Sequence, residues 1–350
     1  MQNKKMEDNL KGLLKAQLPK TSPLKRLSRL APFPIAGAIL YFVLRGQDWG
    51  LLLKAIQRIN LPLFVCGSLI YTLGFYFSDT LFNYYLWNRI LIRIKYSEVL
   101  KLRGFSIFLM VLFPPLAVLA TLIYMVQKKK IRALPMLSTN AVLAFADMFL
   151  IIPQMAFALI VLPNLSRWFW LIFFLFCLGL ILGIWLFPLQ RGKQYLPRIY
   201  NSQIAYALRI LPARLLPPLV GIRALWPFFQ VLGHWLALRA IGIHPPLPMV
   251  ILVVIFITMT TFMPLAVAGF GAPNAVALLF LSYAPNIETV NAYSLLFQAG
   301  FLFGRIAIGL VCFYPFWKEV LKSSGRIELA PYSESFIYKS HQSKMPDSGE

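Results

Sequence analysis

The chain has 350 residues, of which 59% are hydrophobic and only 13% are charged, yet its formal net charge at pH 7 is +22. A soluble domain of this length could not cover so much apolar surface, so the composition excludes a water-soluble globular protein and predicts a polytopic membrane protein. Because the basic residues are grouped between apolar runs, they predict cytoplasmic loops that meet anionic lipid headgroups, and binding to nucleic acid is not expected.

In chain order, the apolar runs predict an all-α architecture with three parts. Residues 1–30 form a basic segment, for which a surface helix and a frayed tail are equally compatible interpretations. Residues 31–318 form the integral membrane domain, and residues 319–350 are polar and predict a disordered tail. About six apolar runs predict crossing helices, of which the first is short and would need Arg29 and Arg45 to snorkel. They are Pro32–Leu44, Leu61–Trp87, Leu137–Leu162, Trp168–Pro188, Leu219–Ile241 and Val290–Trp317.

The stretch Met249–Leu281 is apolar and uncharged, yet it is interrupted by Pro264, Gly269, Gly271 and Pro273. A straight helix does not tolerate these residues in its interior. Unwound backbone at hydrocarbon depth must be buried in protein or line a cavity, because its peptide groups need partners. The stretch therefore predicts either a kinked pair of helices or a functional re-entrant element.

A fainter copy of this broken element lies at Phe105–Val126. Its Pro115–Val118 segment, PLAV, recurs 149 residues later at 264–267. Each copy follows one apolar span and precedes another, which predicts an internal repeat over approximately residues 61–162 and 219–317. The basic connection Asn88–Arg103 in front of the first copy predicts an interfacial helix.

The distribution of charge predicts how the repeats are oriented. If both broken elements return to the side from which they enter, most of the 34 basic residues fall on one side of the membrane. The positive-inside rule then places both termini in the cytoplasm, and we expect a multi-pass protein of the cell (inner) membrane. The same arrangement makes the two repeats inverted, which is typical of folds with a substrate site near the bilayer midplane.

Charged residues inside spans are costly and indicate function. Asp79, Asp147, His234 and Arg305 lie within spans, whereas we interpret Arg223 and Arg239 near span ends as snorkelling to the interface. His234 is interpreted as a neutral packing residue. For Asp147 and Arg305 two interpretations stand side by side: a buried pair that clamps the repeats, or an Arg305 that binds an anionic headgroup.

No pattern typical of an enzyme is present. The sequence has no triad of nucleophile, base and acid in one region, no metal-ligand spacing and no Gly-rich phosphate loop, so no catalytic residue, metal or cofactor is predicted. The cysteines Cys66, Cys177 and Cys312 lie in apolar runs and indicate neither a disulfide framework nor a metal site. A membrane-embedded lipid-modifying enzyme built on Asp79 or Asp147 is the weaker alternative, because neither has a second carboxylate nearby.

The second broken element, PLAVAGFGAPNAVALLFL, followed by an arginine in the last span, resembles the flippase-like membrane region of lysylphosphatidylglycerol synthases and their stand-alone relatives. Pro264, Gly269 and Gly271 match the family pattern there, while Ala268 and Asn274 stand where the family has Gly and Glu. In the first broken element Pro115 matches, and in the span after it Asp147 matches. Because a polar tail follows Trp317, we expect a stand-alone member without the soluble synthetase domain.

The resemblance implies movement of a lipid between leaflets through a cavity between the two halves. The leading hypothesis is translocation of a phospholipid, glycolipid or isoprenoid lipid, with the cavity lined by Pro115, Asp147, Pro264, Gly269, Gly271, Asn274 and Arg305. The alternative is a non-transporting scaffold or accessory subunit of a lipid or envelope-polymer synthase. The expected partners are membrane lipids, together with a partner enzyme or a second copy of the chain.

Overall fold

The computed structural model describes residues 32–112, 114–129, 131, 133–161, 167–186, 192–195, 206–262, 266–267 and 270–324. The predicted basic segment 1–30 and the tail from residue 325 onward lie outside this part of the chain. The described residues are helical apart from turns, short connections and one two-residue β-ladder, which confirms the all-α prediction.

Seven helices make up the described residues between 32 and 186. Asp48 caps the second, because its carboxylate accepts hydrogen bonds from the amides of Gly50 and Leu51, and Asn60 caps the third in the same way through the amide of Leu63. The helices are α1 (Pro32–Leu44), α2 (Trp49–Gln57), α3 (Leu61–Ile90), α4 (Tyr96–Leu112), α5 (Pro114–Lys129), α6 (Ala133–Val161) and α7 (Arg167–Leu186).

The second half begins with short elements and ends in the longest helix, whose first turn is capped by Asn286 through the amide of Thr289. Its elements are α8 (Gly192–Tyr195), α9 (Tyr206–Ile210), a 3₁₀ turn (Ala213–Leu215), α10 (Leu216–Ala240), α11 (Leu247–Phe262), β1 (Ala266–Val267), β2 (Phe270–Gly271), α12 (Ala272–Ala277), a 3₁₀ segment (Leu278–Tyr283) and α13 (Ile287–Ser324). The last helix continues past residue 318, where the membrane domain was expected to end.

Four of the six predicted crossing helices are long and apolar enough to span a membrane, namely Leu61–Ile90, Pro135–Val161, Ala213–Ala240 and Ile287–Phe316. The other two are shorter within the described residues: α1 has 13 residues, and the apolar part of α7 is Trp170–Trp185. Because about 20 apolar residues are needed to cross the hydrocarbon core, the four long helices are the candidates for complete crossings among the described residues.

The first broken element is a helical hairpin formed by α4 and α5. Ser106 Oγ and Thr121 Oγ1 are 2.8 Å apart in its middle, and Lys129 Nζ is 2.9 Å from Glu98 Oε2 at its open end, so the chain returns to where it entered. With 17 and 16 residues, the two helices are each about 25 Å long, short of the roughly 30 Å hydrocarbon core. The broken element predicted from the sequence is thus a helical hairpin, and its re-entrant course in the membrane stays a prediction. The predicted interfacial helix Asn88–Arg103 is wrong, because these residues belong to the end of α3, a turn and the start of α4.

The second broken element also enters as a helix and turns back. α11 ends at Phe262, a small β-ladder pairs Ala266 with Gly271, and α12 then packs against α11. Gly271 has φ of 104°, a left-handed conformation that glycine adopts without steric cost. Helix restarts directly after it, with Pro273 in the first turn, where a proline needs no amide partner. The other two predicted breakers, Pro264 and Gly269, lie outside the described residues.

α3 and α10 pack antiparallel along their whole length. The amide of Asn60 donates to the carbonyl of Ala240 at one end (2.9 Å), and Asp79 and Arg223 meet near the other. Between these points the backbones of Gly67 and Gly233 are so close that a Cβ on Gly67 would lie 2.8 Å from the carbonyl oxygen of Gly233. Small residues let membrane helices approach in this way.

The remaining contacts repeat between the two halves. The hairpin helix α4 packs on α13, and α11 packs on α6; likewise α3 contacts α4 as α10 contacts α11. One apolar core, which includes Trp87, Tyr124 and Phe316, lies at the end of the molecule that holds the hairpin opening, and a second, which includes Phe64, Ile243 and Phe280, lies at the other end. Lys129 and the start of α4 are therefore at the same end.

Replacing Glu98 with Gln is expected to loosen the open end of the α4–α5 hairpin, where the Glu98 carboxylate accepts hydrogen bonds from Lys129 and from the Tyr124 hydroxyl. Burial alone would raise the pKa of Glu98, but these hydrogen bonds and the charges of Lys129 and Lys128 outweigh it and hold the pKa below the ordinary value of 4.5. The stabilisation is therefore complete above pH 4.5 and is lost as the pH falls through the lower, folded-state pKa.

Thermal unfolding in nanodiscs at pH 7 and at a series of pH values from 4.5 downward, through the folded-state pKa, measures this effect. The melting temperatures of the native chain and the variant should differ at pH 7 and converge in acid. Glu288→Gln, at the start of α13, is the matched control. A difference between native chain and Glu98→Gln that does not change with pH would contradict the assignment.

Candidate functional site

The centre of the molecule holds a buried pair between Asp147 on α6 and Arg223 on α10. Arg223 Nε lies 2.5 Å from Asp147 Oδ1, and Arg223 Nη2 lies 3.2 Å from Oδ2, so the guanidinium binds the carboxylate in bidentate fashion. Both residues are buried, with 9% and 5% exposure. The interpretation of Arg223 as snorkelling to the interface is wrong: its side chain turns inward to a carboxylate.

A second pair adjoins the first. Arg103 on α4 donates from Nε to Asp79 Oδ2 at 2.6 Å, and the other oxygen of Asp79, Oδ1, lies 3.8 Å from Arg223 Nη1. Asp79 is 2% exposed and is therefore buried within the protein. The two pairs form a chain of alternating charge, which we call the buried ion network: Arg103, Asp79, Arg223 and Asp147.

The buried ion network is electrically balanced, since two guanidinium groups face two carboxylates. A lone charge in hydrocarbon costs several kcal/mol, so each member depends on its neighbours. The network also joins four helices, α4, α3, α10 and α6, and so connects the first hairpin to the antiparallel pair.

The second broken element has its own buried polar contact. Asn274 is fully buried; its Oδ1 accepts from the amide of Gly271 at 2.9 Å, and its Nδ2 donates to Ser294 Oγ at 2.6 Å. The side chain thus fixes the turn before α12 and attaches it to α13. At this position a neutral amide meets the structural requirement without introducing a charge.

Arg305 lies in a separate aromatic cluster on α13. Its guanidinium carbon is 4.3 Å from the centre of the Phe301 ring, a cation–π contact. The ring of Tyr71 packs edge-on against Phe301 and against His234, whose Nδ1 lies 2.5 Å from the Tyr293 hydroxyl. His234 is 1% exposed and its ring packs at 4.1 Å from Phe297, as the packing interpretation predicts.

A groove of about 460 Å³ opens between α10 and α11, and we call it the α10 groove. Its walls are apolar and include Phe228, Val231 and Leu247. At its inner end Gln154 and Pro227 also line a second cavity of about 20 Å³, which reaches Asp147, Gln230 and Thr258. A volume of this size holds about one water. A further cavity of about 30 Å³ lies beside Arg103.

Pro227 adds polarity to the inner end of the α10 groove. It lies inside α10 and has no amide hydrogen, so the carbonyl of Arg223 loses its usual helical donor. Gln230 Nε2 donates to Thr258 Oγ1 at 2.8 Å across the cavity, which links α10 to α11. The apolar groove therefore ends beside a small polar cavity.

The structure distributes those predicted site residues that it describes over four places. Asp147 belongs to the buried ion network, Gly271 and Asn274 to the second turn, and Arg305 to the aromatic cluster. Pro115 lies in the first turn of α5, and Pro264 and Gly269 lie outside the described residues. Asp147 pairs with Arg223 and not with Arg305. Within the described residues, no group of three or more His, Cys, Asp or Glu side chains lies close enough to hold a metal ion.

Sequence reasoning missed Arg103 and Arg223 as members of the site. A signal was available: once α3 and α10 are taken as antiparallel partners, Asp79 and Arg223 fall at the same level, because Asn60 lies opposite Ala240. The spacing of Asp79 and Arg103, on successive helices joined by a short turn, gives a second indication.

Within the described residues, four helices long and apolar enough to cross a membrane, two broken helical elements and a buried ion network are typical of a multi-pass membrane protein with a polar interior. The family model for the lysylphosphatidylglycerol synthase TM region matches residues 29–309, and the chain belongs to this family. This match confirms the resemblance and supports a membrane lipid-related role. Comparison with curated proteins and with solved structures gave no match.

Proposed function

We propose that the protein moves a membrane lipid between the two leaflets, with the α10 groove as the path for the acyl chain. The observation that carries this proposal is the position of the groove: the groove is apolar, and at its inner end it shares Gln154 and Pro227 with a small polar cavity that reaches Asp147. An amphipathic ligand needs this sequence of environments, because its chain is stabilised by apolar walls and its headgroup by polar ones.

The buried ion network supports a headgroup that carries phosphate. Guanidinium groups bind phosphate and carboxylate with the same bidentate geometry, so a phosphate entering from the groove replaces Asp147 as the partner of Arg223. The exchange leaves no buried cation unpaired, and Asp147, which loses its guanidinium partner, has to take up a proton or turn to water as the helices separate. The cavities of about 20 and 30 Å³ beside the network are too small for a headgroup, so transport requires that these helices separate.

Two further features support an inverted-repeat transporter. α3 and α10, the first helices of the two repeats, are antiparallel, and the packing of α4 on α13 corresponds to that of α11 on α6. Two equivalent helices that are related by a two-fold axis lying in the membrane plane run in opposite directions, as α3 and α10 do. With the basic connections at one end, the positive-inside rule places that end and both termini in the cytoplasm of the cell membrane.

Leaflet exchange in liposomes tests the proposal. Vesicles carry a fluorescent phospholipid, and a membrane-impermeant quencher reports which leaflet holds the label. Exchange should exceed that of protein-free vesicles and fall about tenfold in an Ala224→Trp variant, because the indole fills the α10 groove and raises the barrier by about 1.4 kcal/mol.

The matched control is Phe174→Trp, an exposed position on α7 (61% exposed), which should leave exchange unchanged. Comparing zwitterionic and anionic lipids then tests the phosphate step and its selectivity. If the Arg305→Ala variant exchanges lipid as fast as the native chain, the aromatic cluster takes no part in the mechanism.

A second candidate function is a non-transporting scaffold for a lipid or envelope-polymer synthase. It is favoured by the closed interior, in which the four charges satisfy one another and the adjoining cavities hold about one water each. Folded protein that exchanges neither neutral nor anionic lipid, and that co-purifies with a stoichiometric enzyme, would support the scaffold and overturn translocation.

A further inference from the structure

A second apolar groove runs along the outer face of α3, and we call it the α3 groove. It has a volume of about 500 Å³, and its floor is formed where Gly74 meets the ring of Phe229 from α10. Phe228, the neighbouring residue, lines the α10 groove instead, so the two grooves flank α10 on different faces.

The dimensions of the α3 groove match one leaflet. Its lining extends from Pro62 to Phe77 along α3, which is about 22 Å at 1.5 Å per residue. Half of the hydrocarbon core is about 15 Å thick, so the groove can take an extended acyl chain over the full depth of a leaflet. Leu69, Leu73 and Phe77 in its walls are 49%, 40% and 47% exposed and so face the groove from α3.

The Pro62 end of the groove is basic. Lys54 and Arg58 precede it on α2 and in the following turn, and Arg239 lies beside it, because its neighbour Ala240 accepts a hydrogen bond from Asn60. All three side chains are exposed, and Arg239 stacks on Trp235 at 4.2 Å. The Asp48 carboxylate at the far end of α2 is engaged as the cap of that helix.

We infer that the α3 groove is a binding site for an anionic phospholipid, distinct from the transport path. One acyl chain lies between α3 and Phe229, and the phosphate meets Lys54, Arg58 and Arg239. The positive charge at the Pro62 end favours an anionic phospholipid over a second copy of the chain as the ligand of the groove. In a symmetric pair with its axis along the membrane normal, the same patch of each copy lies at the same level, so two sets of three cations would repel each other.

Cys66 supplies a probe at the site, because it lines the α3 groove and is exposed. A bimane fluorophore is attached to Cys66 in a Cys177→Ser chain, which leaves Cys312 buried. The chain is reconstituted in phosphatidylcholine nanodiscs containing the same small fraction of brominated phosphatidylglycerol or brominated phosphatidylcholine. Bromine quenches bimane on contact, so quenching measures which lipid occupies the groove.

We expect brominated phosphatidylglycerol to occupy the groove about tenfold more than brominated phosphatidylcholine, since each basic residue near the surface favours anionic lipid. The preference should disappear when Lys54, Arg58 and Arg239 are all changed to Gln. It should persist when three basic residues at the other end, Arg89, Arg93 and Lys95, are changed to Gln. Bimane at Cys177 on α7, in a Cys66→Ser chain, reports the general lipid environment and should show no preference.

Two results would overturn the inference. Equal quenching by the two lipids in the native chain would mean that the groove holds lipid without selecting a headgroup. Weak quenching by both, together with energy transfer between differently labelled copies, would mean that a second copy covers the groove. Neither result affects leaflet exchange, which is measured separately in liposomes.

Discussion

Replacing Asp147 with Asn is expected to destabilise the protein by about 3–5 kcal/mol, the typical cost of leaving one partner of a buried pair without its counter-charge. In the native chain Asp147 holds the guanidinium of Arg223 through two hydrogen bonds, and Arg223 is 5% exposed, so water cannot replace the lost carboxylate. The loss should appear as a lower melting temperature and a smaller monodisperse fraction in size-exclusion chromatography.

A double variant separates the charge effect from simple loss of packing. In Asp147→Leu with Arg223→Met both charges are gone and apolar volume is kept, so the stability should recover most of what the single change loses. If the double variant is no more stable than Asp147→Asn, the pair does not behave as a coupled unit. If translocation is the function, the recovered double variant should remain inactive in leaflet exchange, because the phosphate has lost its guanidinium.

Replacing Gly233 with Val is the second change with a large expected effect, because it places a side chain between α3 and α10. Even a Cβ at this position would lie 2.7 Å from the Cβ of Tyr71 and 2.8 Å from the carbonyl oxygen of Gly67. The helices must separate, and overpacking of this kind costs about 1–3 kcal/mol or more. Since the buried ion network bridges the same helices, its distances change as well.

The control is Gly221→Ala on the same helix. A Cβ there meets nothing within 4 Å, so the change should be neutral or stabilise the helix by up to about 1 kcal/mol. Thermal unfolding of both variants in nanodiscs checks the pair of predictions. Equal melting temperatures for the two would contradict the close crossing of α3 and α10.

The fold was predicted best in those parts of the chain where the length of an apolar run determines the structure. Each of the four long helices matches an apolar run, because hydrocarbon demands helical backbone of a given length. The start of the first hairpin was misplaced, since residues 96–103 carry charges that favour an interface, whereas in the structure Glu98 and Arg103 find partners on α5 and α3. Local composition does not reveal such partners.

The candidate site was predicted less completely than the fold. Asp147 was recognised from its depth in a span, but its partner is 76 residues away in sequence, and choosing Arg223 over Arg305 requires knowing which helices touch. Arg305 was correctly recognised as buried, at 6% exposure. Its cluster with Tyr71 and Phe301 depends on the meeting of α3 and α13, which no local pattern specifies.

The order of residues in the buried ion network bears on how the chain enters the membrane during synthesis. An unpaired Asp79 carboxylate is costly in a newly inserted α3. Arg103 follows only 24 residues later and can pair with it as soon as α4 folds back against α3. Arg223 emerges last and meets an Asp147 already in place on α6. The network can therefore be assembled as two successive ion pairs. Each carboxylate acquires its counter-charge before translation of the chain is complete.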